Sequence, residues 1–403
     1  MKTFHWLGCA CAALVALSTA AQDRSAGPLA RALDGAWERS VSAREALGQG
    51  ARARAERTAS SSLWAQPPSV ELSHRSDRWN GDAGRRENEV TLAWPLWLPG
   101  ERNARGAAAE AGLSAADVAA AAARLRLAGE VREGAWSLVA RRAELAQAEE
   151  LARTLKALAD DVDRRVRAGD LARADALAAR AEWLGAVAAQ SAAGQQWRAA
   201  VANWRVLTGL DGIDSADEPA PAATGDWLSA HPELRAAALS GEHARRRHDA
   251  ARASRAEPPE LKLGWRQDEA RGDLAQKSVL LGLRVPFGTA DRNEPLLAAA
   301  ASERDVAEAT ERRTRSRLEA EEGAAKAAVD ASAAQVLAER ERASLLRERA
   351  RLVDKSFRAG ESALPELLRA LSSASQADSS LARHEAELGL ARARHRQALG
   401  LLP

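Results

Sequence analysis

Histidine and cysteine, which often bind metals or act as base and nucleophile, are sparse in this sequence, with seven and two residues. His243 and His248 are five positions apart on a predicted helix, so they lie on different faces, and no two histidines are four residues apart. The only cysteines are Cys9 and Cys11. No Gly-rich loop precedes a Lys-Ser or Lys-Thr pair, as a phosphate-binding loop would require. We therefore predict no catalytic site, no cofactor and no resident metal, and we expect that the protein is not an enzyme.

The N-terminus has the pattern of a signal peptide over residues 1–21. Lys2 and His5 precede an apolar run at 6–17, and small residues follow at 18–21. The run is too short to cross a bilayer as a helix, although a buried first helix is an alternative. Neither cysteine has a leucine three residues before it, so lipidation is not expected. Removal of this segment leaves a chain without cysteine, which excludes disulfides and thiolate metal sites.

The overall composition favours long helices over a compact globular core. The 403 residues include twelve Trp and three Phe but no Tyr, and Ala, Leu, Arg and Glu dominate long stretches. The net charge of +2 gives no electrostatic reason to expect a nucleic-acid partner. The cluster at 245–247, three consecutive arginines, is read as a solvated helix patch.

An internal duplication is the strongest pattern in the sequence. Proline, glycine and arginine positions recur at a constant offset of 191 residues, without gaps from residue 44 onward, in Pro67-Pro68 and Pro258-Pro259, Pro95 and Pro286, Arg167-Ala168-Gly169 and Arg358-Ala359-Gly360, and Arg205 and Arg396. Asp175 aligns with Glu366 at the same offset. Shared helical composition does not explain the proline matches. We expect a first repeat at 22–210, a linker at 211–226 and a second repeat at 227–403.

Each repeat contains two segments in which apolar and polar residues alternate. These predict strands near 69–76, 88–97, 260–267 and 277–287, although Leu280 breaks the alternation. Such strands suit a barrel with one face in lipid and the other in water, and a small soluble antiparallel sheet is the alternative. Four strands cannot close a barrel, and open edges in lipid are costly. Three copies would give twelve strands, enough for an aqueous lumen.

Long polar-apolar segments rich in Ala predict helices on either side of the strands, and the longest of them contains no proline. The longest, about 101–167, would measure roughly 100 Å at 1.5 Å per residue. Gly169 and Gly360 are the expected turns. The other expected helices cover about 28–63, 171–208, 227–256, 293–358 and 362–402. The fold class is mainly α with a small β portion, built from duplicated helical hairpins, and a solitary coiled-coil rod is the simpler alternative.

This order of elements resembles the TolC-like outer-membrane factors. The segment His231-Pro232-Glu233-Leu234 is similar to the family's Asn-Pro-Glu-Leu helix opening. Two strand exits, Leu98 to Arg105 and Pro286 to Asn293, resemble those of the cobalt-zinc-cadmium branch, with Glu101 in place of Lys. The resemblance covers nearly all of the mature chain.

The resemblance implies an efflux role. It implies a homotrimer whose β-barrel lies in outer membrane lipid of a Gram-negative bacterium and continues as a periplasmic α-helical tunnel. A periplasmic adaptor and an inner-membrane RND pump would be its partners, and heavy-metal cations are one possible cargo. A channel for type I protein secretion and a periplasmic helical scaffold without a pore remain as alternatives.

The resemblance also implies roles for particular residues. The adaptor would dock at the two turns, Arg167, Ala168, Gly169 and Asp170 with Arg358, Ala359, Gly360 and Glu361, although these segments also suit ordinary helix caps. Asp175, Phe357 and Glu366 match residues that narrow the closed tunnel, with a solvated carboxylate as the alternative for Glu366. A second acidic position of the family falls on Arg369 here, which argues against a cation-selective gate.

Four aromatic residues could mark the membrane interface. They are Trp94, Trp97, Trp265 and Phe287, and all four lie in or beside the predicted strands. Because the chain has no tyrosine, tryptophan must supply most of any aromatic belt. Ordinary packing is the alternative for each of them.

Overall fold

A computed structural model describes residues 27–79, 81, 84–221, 225–287 and 290–403. The expected signal peptide at 1–21, with Cys9 and Cys11, lies outside the described residues, as does part of the expected linker. The described elements follow in the order α1 (Pro28–Arg39), α2 (Val41–Ser60), β1 (Ser69–Ser76), β2 (Arg86–Pro95), α3 (Glu101–Ala168), α4 (Arg173–Thr208), α5 (Trp227–Ala230), α6 (Pro232–Ala253), β3 (Glu260–Glu269), β4 (Gln276–Arg284), α7 (Ala290–Arg358) and α8 (Leu364–Ala398).

The mainly helical fold class with a small sheet is confirmed, and α3 and α7 contain 68 and 69 residues. The start of α3 follows Gly100, whose φ of +82° favours glycine. The carboxylate of Glu101, the first residue of α3, accepts a hydrogen bond from the backbone N–H of Leu98 at 3.3 Å and so stabilises the turn that precedes the helix. No helix in the described part of the chain combines the length and the low polarity that crossing a bilayer requires.

Two expected helices are each divided in the structure. The expected helix at 28–63 breaks at Ser40, whose hydroxyl donates to Trp37 O and accepts from the N–H of Ala43, both at 3.0 Å. A side chain that bonds the backbone in this way ends one helix and caps the next. The expected helix at 227–256 breaks at His231 because Pro232 cannot donate its nitrogen to the preceding turn.

The four strands form one antiparallel sheet in the order β1-β2-β3-β4. Neighbours in the sheet are neighbours along the chain, so β1 and β4 are its two edges. Strand β2 begins and ends two residues before the predicted span at 88–97, and β4 ends at Arg284, before the predicted limit of 287. Beyond β2, the N–H of Leu96 still bonds Pro259 O at 2.7 Å, so the pairing continues past the strand end.

The chain contains two compact units, and each takes segments from both repeats. The first unit comprises the described residues of 27–43, 123–231 and 317–403, and the second comprises those of 44–122 and 232–316. The repeats are therefore not separate globular bodies. Helices α3 and α7 contribute residues to both units, whereas the sheet belongs to the second.

The first unit has an apolar core with a charged cluster beside it. Leu33, Val131 and Trp204 are among its buried apolar residues. The Arg132 side chain is 1% exposed and donates to both Glu218 carboxylate oxygens, at 2.7 and 2.8 Å. Burial of a charge in this way requires a partner, and Glu218 supplies it from the segment that follows α4.

Candidate functional site

One face of the sheet is apolar across all four strands. Residues that are partners in the register share a face, and successive residues alternate between faces. The rows on this apolar face are Val70, Leu92, Leu263 and Leu281; Leu72, Val90, Trp265 and Val279; and Trp94, Leu261 and Leu283. Leu72 and Leu281 are 74% and 73% exposed within the protomer. A face of this kind needs an apolar environment that the single chain does not supply.

The opposite face, here the charged face, carries polar residues held in ion pairs. Arg266 binds Glu87 and Asp268, both at 3.0 Å. Arg284 binds Glu260 at 3.5 Å. The charges thus balance one another along the strands, as suits a surface in contact with water. The two faces of the sheet therefore differ in character, one being apolar and the other charged.

Leu280, which breaks the alternation in the sequence, lies on the charged face beside Gly264. A Cβ atom on Gly264 would lie 3.4 Å from Leu280 Cβ and 3.1 Å from the Thr91 hydroxyl. The register places these three residues in one row. The glycine therefore leaves room for the leucine, which covers the gap without disturbing the apolar face.

The edge strands β1 and β4 have no neighbouring strand on their outer sides within the described residues. Consecutive strands run in opposite directions, so β1 and β4 are antiparallel to each other. An open edge presents unpaired backbone N–H and C=O groups. The edge β4 of one copy has the direction needed to pair with β1 of another.

The two helical turns have the same hydrogen-bonded geometry. Gly169 and Gly360 have φ values of +88° and +80°, which glycine adopts without strain. The N–H of Asp170 donates to Arg165 O at 2.9 Å, and the N–H of Glu361 donates to Ser356 O at 3.0 Å. Together with the N–H bonds of the glycines, these contacts form a Schellman motif at each turn.

All eight residues predicted to bind an adaptor are exposed at these turns. The arginines lie against their own helices, since Arg358 binds Asp354 at 3.0 Å and Arg167 donates to Asp163 O at 3.3 Å. The helix-cap interpretation therefore describes the backbone, while the exposed side chains leave the adaptor interpretation open.

The two acidic residues that follow the turns differ in their contacts. Asp175 is partly buried and its carboxylate accepts a hydrogen bond from the backbone N–H of Ala172 at 3.3 Å, so it caps α4. Glu366 occupies the equivalent place in α8 and its side chain is exposed. Glu366 is therefore the one of the two whose carboxylate projects into solvent in the protomer.

Phe357 is buried, in contrast to the expectation that it narrows a tunnel. Its side chain is 3% exposed and packs with Val162, Leu364 and Leu367. The guanidinium of Arg165 lies 5.1 Å from the centre of its ring. Phe357 precedes the turn on the face where the helical hairpins meet, so it joins them and does not line open space in this structure.

The predicted interface aromatics fall into two groups. Trp265 and Phe287 are 39% and 93% exposed. Trp94 packs near Trp64, with ring centres 6.4 Å apart, and Trp97 donates its ring N–H to Ser62 O at 3.1 Å. Trp97 therefore agrees better with ordinary packing than with a membrane belt.

Two exposed apolar residues of the strand turns escaped the sequence interpretation. Trp79, between β1 and β2, is 96% exposed, and Leu274, between β3 and β4, is 93% exposed. Both hairpin turns lie at the same end of the sheet, where a Cβ on Gly84 would come within 2.8 Å of Arg271 Cβ. Their signal in the sequence is an apolar residue inside an otherwise polar turn.

Within the ranges that the structure describes, no three His, Cys, Asp or Glu side chains are placed to hold a metal ion together.

Comparisons with known proteins identify the architecture. The family model for outer membrane efflux proteins matches residues 35–210. A search of curated protein sequences gives no match. The outer membrane protein VceC from Vibrio cholerae superimposes with a TM-score of 0.73 at 17% identity, covering 92% of this chain and 96% of VceC. The Campylobacter jejuni CmeC outer membrane channel gives a TM-score of 0.75 at 15% identity, covering 93% and 85%.

A membrane protein from Pseudomonas aeruginosa gives a TM-score of 0.73 at 21% identity, covering 93% of this chain and 94% of that protein. At these identities the likeness establishes the fold. The fold of this chain is therefore the TolC-like fold of outer-membrane efflux channels, and its residues 35–210 match the corresponding family model.

Proposed function

We propose that this chain is one protomer of a homotrimeric outer-membrane efflux channel and has no catalytic activity. It conducts substrates passively, from an inner-membrane RND pump and a periplasmic adaptor to the outside of the cell. The observation that carries the proposal is the four-stranded sheet, with one apolar face, one ion-paired face and two open edges.

Pairing with other copies of the chain would account for both the open edges and the apolar face of the sheet. Pairing of β4 with β1 of the next copy removes the open edges, and the alternation of strand directions is maintained around the ring. The apolar face would then contact lipid and the charged face would contact water. Three copies supply twelve strands, which is enough to leave an aqueous lumen.

The absence of cysteine outside residues 1–21 allows a direct test of this ring. Each of three variants carries two cysteines. One cysteine replaces Ser73 in β1, and the other replaces Gln276, Ser278 or Leu280 in β4. We expect oxidation in the membrane to give crosslinked species of two and three chains for at least one pair. Each single-cysteine variant is the control. A ladder beyond three chains, or uncrosslinked monomers throughout, would exclude a ring of three.

Pore formation requires a separate measurement. The purified mature chain should depend on detergent and should produce conductance steps in planar bilayers. A detergent-independent protein without conductance would support the periplasmic scaffold. Export assays in a strain with a single defined pump would distinguish efflux from type I protein secretion.

We infer that the two turns bind the adaptor. Their support is the repeated geometry, in which an exposed four-residue segment forms the same helix cap at both places. A Cβ atom added at Gly360 would have no atom within 4 Å. The substitution Gly360→Ala therefore disturbs the turn only through backbone strain of about 1–2 kcal/mol. We expect Gly360→Ala to weaken adaptor binding while single-channel conductance is retained. Gly323→Ala in α7, which also has open space around it, is the matched control.

We further propose that Glu366 contributes to a constriction, since three exposed carboxylates near a threefold axis would attract cations and repel anions. Glu366→Ala should change single-channel conductance and lower cation binding. Glu348→Ala, which removes an exposed carboxylate from α7, is the control. No change in either measurement would remove Glu366 from the constriction, and Asp175 is a weaker candidate because it caps α4.

Assignment to the cobalt-zinc-cadmium branch, with heavy-metal cations as cargo, is also a proposal. It rests on the strand exits at 98–105 and 286–293, of which the second lies partly outside the described residues. Survival of a channel-deficient strain in graded zinc, cobalt and cadmium, with and without this gene, tests the cargo. Equal survival in metal together with restored resistance to an organic drug would contradict it.

A further inference from the structure

The Lys and Arg side chains of the strands differ in ion pairing between the two faces of the sheet. Four of the six Lys and Arg side chains in the strands lie on the charged face, and each is ion-paired with a carboxylate: Arg75, Lys262, Arg266 and Arg284. The other two, Arg86 and Lys277, lie on the apolar face and form no ion pair within the described residues. Both side chains are exposed.

Arg86 and Lys277 lie next to the apolar rows at one end of the sheet. Lys277 is two residues along β4 from Val279, about 7 Å, and Arg86 is four residues along β2 from Val90, about 14 Å. The row of Lys277 also contains His74, Asn88 and Gln267.

The strand partner of Arg86 is Glu269, whose carboxylate accepts a hydrogen bond from Gln267 at 2.5 Å. The exposed Trp79 and Leu274 occupy the turns at this same end. Along the strands, apolar side chains thus give way to cationic and amphipathic side chains over the distances given above. In a bilayer, hydrocarbon chains give way to headgroups over a similar distance.

We propose that this cationic rim, consisting of Arg86 and Lys277, binds the anionic headgroups of lipids at the hairpin-turn end of the sheet. The inference rests on the proposed channel function, because it requires the apolar face to contact lipid. Long basic side chains can place their stems along apolar surface and their charges among headgroups. A negatively charged lipid surface attracts each such cation, and salt screens the attraction.

Lipid selectivity in bilayers tests the proposal. The mature chain is reconstituted into equimolar phosphatidylcholine and phosphatidylglycerol, with brominated chains on one lipid or the other, and tryptophan fluorescence is recorded. Trp265, on the apolar face, is a native reporter of adjacent lipid. For the wild type we expect stronger quenching by brominated phosphatidylglycerol, with a preference of about fivefold per cation that falls as salt is added.

The variant Arg86→Gln with Lys277→Gln should lose this preference and retain conductance. Its matched control, Lys262→Gln with Arg284→Gln, removes the same charge from the charged face and should keep the preference. Equal quenching by both lipids in the wild type, or equal losses in the two variants, would overturn the cationic rim and leave the channel intact. No quenching by either lipid would instead overturn the lipid contact and the proposed function with it.

Discussion

Replacement of Glu218 by glutamine should lower the free energy of unfolding of the first unit far more than replacement of a surface carboxylate. Both carboxylate oxygens bind Arg132, and one of them also accepts from Arg396 Nε at 3.0 Å. The Arg132 and Glu218 side chains are only 1% and 6% exposed. Glutamine keeps the shape of the side chain but removes its charge and turns an NH₂ group toward the arginines.

The expected cost follows from the burial of Arg132. Loss of one partner of a buried ion pair typically costs about 3–5 kcal/mol, because the remaining charge is left without compensation. Two neutral acceptors remain for Arg132, namely Gln397 Oε1 and the backbone carbonyl of Leu401, so we expect the lower part of this range.

The duplication supplies the matched control. Arg205 is the repeat counterpart of Arg396, but its ion pair with Asp211 is open to solvent, with side chains 62% and 83% exposed. Exposed pairs contribute about 0–1 kcal/mol. Asp211→Asn should therefore leave the denaturation midpoint almost unchanged.

Urea denaturation followed by tryptophan fluorescence measures both variants, since Trp136 and Trp204 belong to the core beside Arg132. A third variant, Arg132→Met combined with Glu218→Gln, should recover part of the lost stability by removing the uncompensated charge. If Glu218→Gln and Asp211→Asn differ by less than about 1 kcal/mol, Arg132 is hydrated in solution and the reasoning from burial is wrong.

Three further outcomes are expected from denaturation experiments. A methyl group on Gly389 would lie 2.0 Å from the Trp136 ring, so Gly389→Ala should destabilise by about 1–3 kcal/mol or more, whereas Gly185→Ala, with nothing within 4 Å, should be neutral or stabilising. Burial lowers the pKa of His243, so stability should fall as pH drops through the unfolded value of about 6.5, and His243→Gln should remove that loss between about pH 7 and pH 5. Burial raises the pKa of Asp378, so its ionisation opposes folding as pH rises above about 3.9, and Asp378→Asn should stabilise the chain near neutral pH but not near pH 3.

The fold class could be predicted because its signals are local and repeated. Alternation with period two in segments such as 261–265 gives a strand in any context that buries one face. The glycines at 169 and 360 end helices through their own backbone freedom. Breaks such as the one at Ser40 were missed, because a serine ends a helix only when its hydroxyl bonds the backbone, and the sequence does not reveal that choice.

The surroundings of individual side chains could not be predicted in the same way. Glu218 lies in the segment of Gly, Asp, Pro and Ala that the sequence indicates as a linker, yet it is buried against two arginines. Phe357 follows the family pattern by position, yet it packs between helices. In both cases burial depends on chain segments that are distant in sequence, so no local pattern contains the information.

The two repeats show that the surroundings of a side chain do not follow from its position in the sequence pattern, because equivalent positions can be compared within one molecule. Equivalent positions share a backbone, since the turns at Gly169 and Gly360 have the same hydrogen bonds. Their side chains have diverged, with the helix-capping Asp175 opposite the exposed Glu366, and the exposed Arg205 opposite the nearly buried Arg396. A repeated backbone explains how two similar surfaces arise for partners. The divergent side chains explain why stability and any gating charge should depend unequally on the two repeats.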